Sequence, residues 1–292
     1  MIKHWLISGD THGRVMERLA QIDTKIYNPE ETAVIILGDA GINFYLNKHD
    51  TANKNLINNT NFRLYLVRGN HEERPENLGI GLGWDSHVKN VVYYETPFPN
   101  IRYLVDGNEY DINGHSTLVV GGAYSVDKWY RLERAGYTPD EALIANPQRC
   151  GWFKDEQLTK EEMNRIDELY AGKTYDLILS HTCPYSWQPT DLFLKGLDQS
   201  TVDNTMEKWL DNFKEKIQWN IWLWGHFHAD RAERPHCEMF YQRIENLDNI
   251  FNRWQNTIIP TDVIISPNFF TDDNRWSYEQ LMANYTYIKE KE

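Results

Sequence analysis

The sequence predicts an α/β fold. The first observation is a set of five short apolar runs, each closed by glycine or serine and a metal-compatible polar residue: Trp5-Leu6-Ile7, Ala33–Leu37, Leu64–Val67, Leu177–Leu179 and Ile221–Trp224. Runs this short and this continuous fit strands buried on both faces of a sheet. The second is what separates them, namely stretches with apolar residues at helical spacing. The third is where the polar residues fall. Ligands in open α/β sheets sit beyond the carboxyl ends of the strands, and these runs deliver Asp10 and His12, Asp39, Asn70, His181, and His226 with His228 to such ends.

The first run ends in Gly9-Asp10-Thr11-His12-Gly13. Strand side chains alternate, so Asp10 and His12 are expected on one side of the chain, converging on one ion. A carboxylate beside an imidazole suits Mn, Fe or Zn better than Ca. Residues 14–21 read as a helix carrying Val15, Leu19 and Ile22 on one face, its amides offered to an anion at the site. The second run ends in Gly38-Asp39. Residues 50–59 read as a helix, and the third run closes in Arg68-Gly69-Asn70-His71-Glu72. The Gly- and Pro-rich residues 72–85 read as a loop.

Residues 91–94, 101–105 and 117–120 are β-like, with turn signals at Asp106-Gly107-Asn108 and Asn113-Gly114. They read as a meander that completes the sheet or forms a second sheet packed on it. Residues 125–155 lack a period and carry Lys128, Trp129, Tyr130, Arg131, Arg134, Tyr137, Trp152 and Phe153. A loop this long is more often functional than idle, and a cap over the rim is expected. Thr159 to Glu162 match a capping box for a helix with Met163, Ile166, Leu169 and Tyr170 on one face. Ser200 or Thr201 is expected to cap another, with Val202, Met206, Trp209, Leu210, Phe213 and Ile217 as its apolar stripe. Beyond Asp230, residues 238–244 and 263–266 look like strands, and 274–292 are polar and partly helical or loose.

In order, GDTHG, GD, RGNHE, a histidine after a strand, and GHFH resemble the calcineurin-like metallophosphoesterase superfamily, with phosphoprotein-phosphatase-like GDxHG and RGNHE motifs. The resemblance spans Gly9 to His228. It implies a four-layer α/β/β/α sandwich of two mixed sheets flanked by helices, as a single domain over residues 1–270 with a cap or insert at about 122–158 and an extension at 271–292. It also implies two divalent ions, Mn, Fe, Zn or Ni, with Mn the ion expected to support activity in vitro. By the same resemblance Asp10, His12 and His228 hold the first ion, Asn70, His181 and His226 hold the second, and Asp39 bridges them. A hydroxide between the ions would attack phosphorus directly. His71 would stand near the leaving group as proton donor or phosphate contact. Arg68 and Arg74 occupy positions that bind phosphate in phosphoprotein phosphatases, where a guanidinium fork matches phosphate oxygens. The chain departs from that subfamily at Ile42, where an Asp would orient His71, and at Asn43, which stands where an Arg would hold phosphate.

Composition narrows the function further. Of 292 residues, 41% are hydrophobic and 25% charged, as in an ordinary globular protein. The net charge of −13 repels long polyanions, so a long nucleic acid is not the expected partner. No apolar run spans a bilayer, and the N-terminus lacks a signal-peptide layout. The cysteines Cys150, Cys183 and Cys237 form no C-x-x-C pair, which fits a cytoplasmic protein with free thiols; Cys183 suits packing near the site rather than ligation. The expected activity is hydrolysis of a phosphate monoester, on a small phosphorylated molecule or phosphopeptide. A phosphodiesterase or nuclease acting on nucleotides or short strands is the alternative, supported by GHFH and the aromatic segment 129–137. A metal-holding scaffold without hydrolysis is the third reading.

Overall fold

The computed structural model describes residues 1–137, 151–193 and 199–255. Two mixed sheets face each other. The first has the order β13-β1-β2-β3-β6-β5-β4, from β1 (His4–Ser8), β2 (Thr32–Leu37), β3 (Arg63–Val67), β4 (Gly81–Asp85), β5 (Asn90–Tyr94), β6 (Ile101–Tyr103) and β13 (Ile244–Asn246). The second has the order β11-β12-β10-β9-β8-β7, from β7 (Asn108–Ile112), β8 (His115–Val120), β9 (Thr174–Ser180), β10 (Gln218–Trp224), β11 (Arg231–Arg234) and β12 (Cys237–Met239). The inner strands of each sheet run parallel, β1-β2-β3-β6 and β12-β10-β9-β8. The expected sandwich is present.

The apolar runs divide by parity, as the pleat requires. Ile7, Ile35, Leu37, Val67, Leu177, Leu179, Ile221 and Leu223 meet in the core between the sheets. Their neighbours face outward. Leu6, Val34, Ile36, Leu64 and Leu66 pack under α1 (Val15–Leu19) and α2 (Lys48–Asn58). On the other side Ile178, Trp222 and Trp224 pack under α4 (Lys160–Tyr170) and α5 (Thr205–Phe213). Each run is apolar throughout because both of its faces are covered.

The capping box at Thr159 and Glu162 forms in both directions. The region between β5 and β8 resolves both options for the meander. β5 and β6 extend the first sheet, while β7 and β8 form a hairpin that opens the second. Several elements differ from expectation. Residues 81–85 form the edge strand β4 despite Gly81 and Gly83, because β5 supplies a ladder to pair with. The helix expected from residue 200 begins at Thr205, so Val202 precedes it and Ile217 follows it. Beyond Asp230 the chain adds β11, β12, β13 and α6 (Leu247–Gln255). Leu247, Ile250, Phe251 and Trp254 of α6 enter the inter-sheet core. The short α3 (Lys128–Arg134) lies within the insert, where Leu132 and Trp152 pack together. The expectations for residues 263–266 and 271–292, and Cys150, lie outside the described residues. No helix among the described residues is long and apolar enough to cross a membrane.

Candidate metal centre

The carboxyl ends of β1, β2 and β3 meet those of β9 and β10 at one rim, and hydrogen bonds stitch the sheets together there. His181 Nδ1 lies 2.7 Å from the Leu37 carbonyl. The His226 amide also crosses between the sheets to Asp10 Oδ1 at 2.9 Å, while within the second sheet the Gly225 amide donates to the His181 carbonyl. The polar residues thus gather between two sheets rather than along one.

The backbone at this rim is unusual. His12, Asp39, His226 and His228 all have positive φ, between 45° and 68°. Non-glycine residues are rare there and are held only where the surroundings dictate it. This corrects the expected reason for Asp10 and His12 converging. β1 ends at Ser8, so strand alternation does not reach His12; a left-handed turn brings it round. The glycines preceding ligands allow close approach. A Cβ on Gly38 would lie 2.0 Å from His181 Nδ1, and one on Gly69 2.0 Å from Asp39 Oδ1. The amides of Thr11, His12 and Gly13 donate to the carbonyls of Asp39 and Ala40, and that of Arg14 to Thr11, so the turn leading into the helix is already bonded. α1 itself is only five residues long.

Two groups of candidate ligands result. In the open half, Asp10 Oδ2 lies 3.3 Å from His228 Nε2 and 3.8 Å from His12 Nε2, and the two Nε2 atoms are 2.8 Å apart. In the buried half, His181 Nε2 lies 2.8 Å from Asn70 Oδ1, and the His226 ring stands 5.0 Å from the His181 ring. Asp39 faces both, with Oδ2 3.9 Å from His12 Nε2 and Oδ1 3.7 Å from His181 Nε2.

The donor set fits cations. Asp10 Oδ2 is buried without a hydrogen-bond partner. His181 Nδ1 faces a carbonyl and so carries a proton, which in the neutral imidazole, the form that ligates a metal, leaves a lone pair on Nε2 pointing at another acceptor, Asn70 Oδ1. Two acceptors this close call for a cation between or beside them. Asp10, His12 and His228, and separately Asp10, Asp39 and His181, each bring ligand atoms within 4.8 Å of one another. These nitrogen and oxygen donors suit a borderline transition metal.

Protonation follows the same geometry. Burial pushes the Asp39 carboxyl up, but His181, His71 and His12 outweigh it and hold the group well below the usual range. Burial, with His181 beside it, pulls His226 down to about 3. Burial lowers His12 against the pull of Asp39 and Asp10. The Asp10 carboxylate, 3.3 Å away, raises His228.

His71 donates its amide to Asp39 Oδ1, and its ring lies 5.8 Å from His12 and 6.5 Å from Phe44. Its Nδ1 is buried without a partner, and Ile42 is buried and offers no acceptor. Asn43 is also buried, and its carbonyl accepts from the Glu73 amide.

Arg68 and Arg74 do not face the centre, contrary to expectation. Arg68 is buried and donates to Asp106 at 2.6 Å and to the carbonyls of Glu156 and Gly121. Arg74 donates to Glu162 at 2.7 Å and to the carbonyls of Asp155 and Gln157. Both guanidinium groups fasten residues 155–157, the returning stem of the insert, because that stem presents a row of carbonyls to them.

Several residues around the centre escape sequence reasoning. Arg18 is buried and hydrogen-bonds Ser8 Oγ and the Tyr241 carbonyl, a role hidden by its place on a helix. Glu72 accepts from the amides of Gly41 and Gly69; burial, then the charge of Asp39, pushes its carboxyl up to about 8. Its signal was present as the last letter of RGNHE. Ser125 and Glu156 lie at the ends of the aperiodic insert, where no pattern marks them.

A sandwich of two mixed sheets with carboxylates and imidazoles gathered at one rim defines the build of a metal-binding hydrolase. The chain belongs to the calcineurin-like phosphoesterase family, whose model matches residues 4–230. That family supports hydrolysis of phosphate esters. No curated protein matches the chain.

Proposed function

We propose that the protein is a phosphodiesterase using two divalent ions, acting on a nucleotide or a short strand. The observation that carries this reading is the commitment of Arg68 and Arg74 to the stem at residues 155–157. A phosphate monoester carries nearly two negative charges near neutral pH. Binding it calls for cationic forks beside the centre, and the two arginines that favoured a monoester are bonded elsewhere. A diester carries one charge and needs fewer.

Asp10, His12 and His228 would hold one ion and Asn70, His181 and His226 the other, with Asp39 shared. Two such ions, when bound, would acidify a water and screen the phosphoryl oxygens. His71 stands at the rim, where its imidazole can contact the substrate or hand a proton to a leaving alkoxide. Phe44 lies 6.3 Å from Phe153, ring to ring, on the side of His71. Phe153 is fully buried, so the half-buried ring of Phe44 is the one that can receive a base. The net charge of −13 keeps the expected substrate short.

Hydrolysis of bis-p-nitrophenyl phosphate and p-nitrophenyl phosphate, compared with Mn present, tests the reading. A higher diester rate is expected, lost in Asp39→Ala. A higher monoester rate would restore the phosphomonoesterase. Tight uptake of metal with no turnover of either ester would leave the non-enzymatic scaffold.

A further inference from the structure

We infer that Ser125 and Glu156 are positioning residues that fix which end of the Asn70 amide faces the buried half of the centre. The inference rests on the two-ion reading above. Asn70 is 1% exposed, and its Nδ2 donates to Ser125 Oγ at 2.8 Å. Ser125 Oγ in turn donates to Glu156 Oε2 at 2.5 Å, and the Ser125 amide donates to Glu156 Oε1 at 3.2 Å. Ser125 and Glu156 are themselves buried.

The direction of this chain follows from the inventory of donors. Burial raises the Glu156 carboxyl to about 7; in its ionised form it only accepts, so the single hydroxyl proton of Ser125 then points at Glu156. The Ser125 oxygen is left with lone pairs, and only the NH2 end of Asn70 can satisfy them. That turns Oδ1 toward His181 Nε2, 2.8 Å away, the end able to ligate a cation. With the amide reversed, NH2 would face the ion and repel it. An amide has two unlike ends, so it needs such a director; an aspartate, with two equivalent oxygens, would not.

The director is carried by the insert. Ser125 begins it and Glu156 ends it, and Arg68 holds the Glu156 carbonyl at 2.8 Å. The arginine of the RGNHE motif thus steadies the buried half indirectly, through the stem.

Titration of the metal-free protein with Mn, followed calorimetrically, provides the test. The unaltered protein should take up two ions. Ser125→Ala should weaken one of them by roughly 10–100-fold, the usual cost of losing a partner behind a ligand, while the other changes by less than about twofold. Ser125→Thr, which keeps the hydroxyl, should restore uptake. In an Asn70→Asp background, Ser125→Ala should change the same affinity by less than about threefold, because the carboxylate has no wrong end. Equal losses in the Asn70 and Asn70→Asp backgrounds, or a parallel loss of both ions, would mean that Ser125 only supports the fold, and the inference would be wrong. Unchanged affinities in Ser125→Ala would also overturn it. Failure of the unaltered protein to take up two ions would instead remove the two-ion reading on which the inference stands.

Discussion

The two halves of the centre are built differently. In the open half, the side chains of His12 and His228 are 34% and 50% exposed. In the buried half, His181 is fully buried and Asn70 nearly so. The open half is held by left-handed turns past β1 and β10, with Tyr241 stacked 4.9 Å from the His228 ring. The buried half is held by side-chain hydrogen bonds: Leu37 on His181, Ser125 on Asn70, and Glu156 behind Ser125. The open half is set by backbone and meets water; the buried half adds a polar network around His181 and Asn70 to the left-handed turn at His226. A substrate must approach from the open side, so the buried half serves as the fixed reference against which it is aligned.

Asp39 joins the two, and its removal should have the largest effect. Asp39→Ala takes a carboxylate from both halves at once, and turnover of the preferred ester should fall roughly a hundredfold to a thousandfold. Equilibrium dialysis should show weaker binding of both ions. If only one ion is lost, Asp39 belongs to a single half and the shared arrangement is wrong.

Arg68 comes next, because it fastens the support of the buried half. Arg68→Met takes the guanidinium from Asp106, which keeps only the Gly121 amide, and from the Glu156 carbonyl, and removing one member of a buried pair should cost about 3 kcal/mol in urea unfolding. KM for either ester should change by less than about twofold, since the guanidinium does not reach the centre. A large rise in KM with unchanged stability would return Arg68 to phosphate binding.

The contrast between the halves also explains what was legible in the sequence. All seven candidate ligands follow apolar runs closed by glycine or serine, and that juxtaposition survives in one dimension because strand ends and close backbone approaches are local. Strands covered on both faces were legible in runs that are apolar throughout, while the four layers were implied by the family resemblance. What lay hidden was the support. Ser125 and Glu156 sit at opposite ends of an insert without periodicity, and only the folded stem brings them together. Arg68 and Arg74 misled because a motif gives a residue's place in the chain but not its direction. β4, β11 and α6 were missed because each takes its shape from a partner far away: β5, β12 and the gap between the sheets.

Glu207 offers a smaller test of the buried half, through the element that carries His181. Its carboxyl accepts from Thr182 Oγ1 at 3.0 Å, while its Oε2 is buried without a partner. Burial pushes the group up to about 7, from 4.5 when freely solvated. The folded chain therefore holds this proton where the unfolded chain has lost it. Stability from this group is full below about pH 4.5 and falls as pH rises toward 7. Glu207→Gln keeps an oxygen for Thr182 and never ionises, so it should be more stable than the parent by about 2 kcal/mol at pH 8, with the gain vanishing near pH 4. Urea titrations at the two pH values measure this. A gain of equal size at both would trace the effect to packing instead of charge.

The smallest expected effect is also the most direct measure of the asymmetry. After loading with Mn, a pulse of chelator should remove the two ions in two phases, with the ion of the open half leaving roughly tenfold faster because water and chelator reach it. The phases can be assigned by mutation. His228→Ala should abolish the fast phase and leave the slow one, and His181→Ala should do the reverse. A single phase would mean that the two halves exchange as one unit through Asp39. A slow phase that disappears in His228→Ala would mean that exposure of the ligands does not govern release, and that the dry network behind Asn70 does not retain its ion.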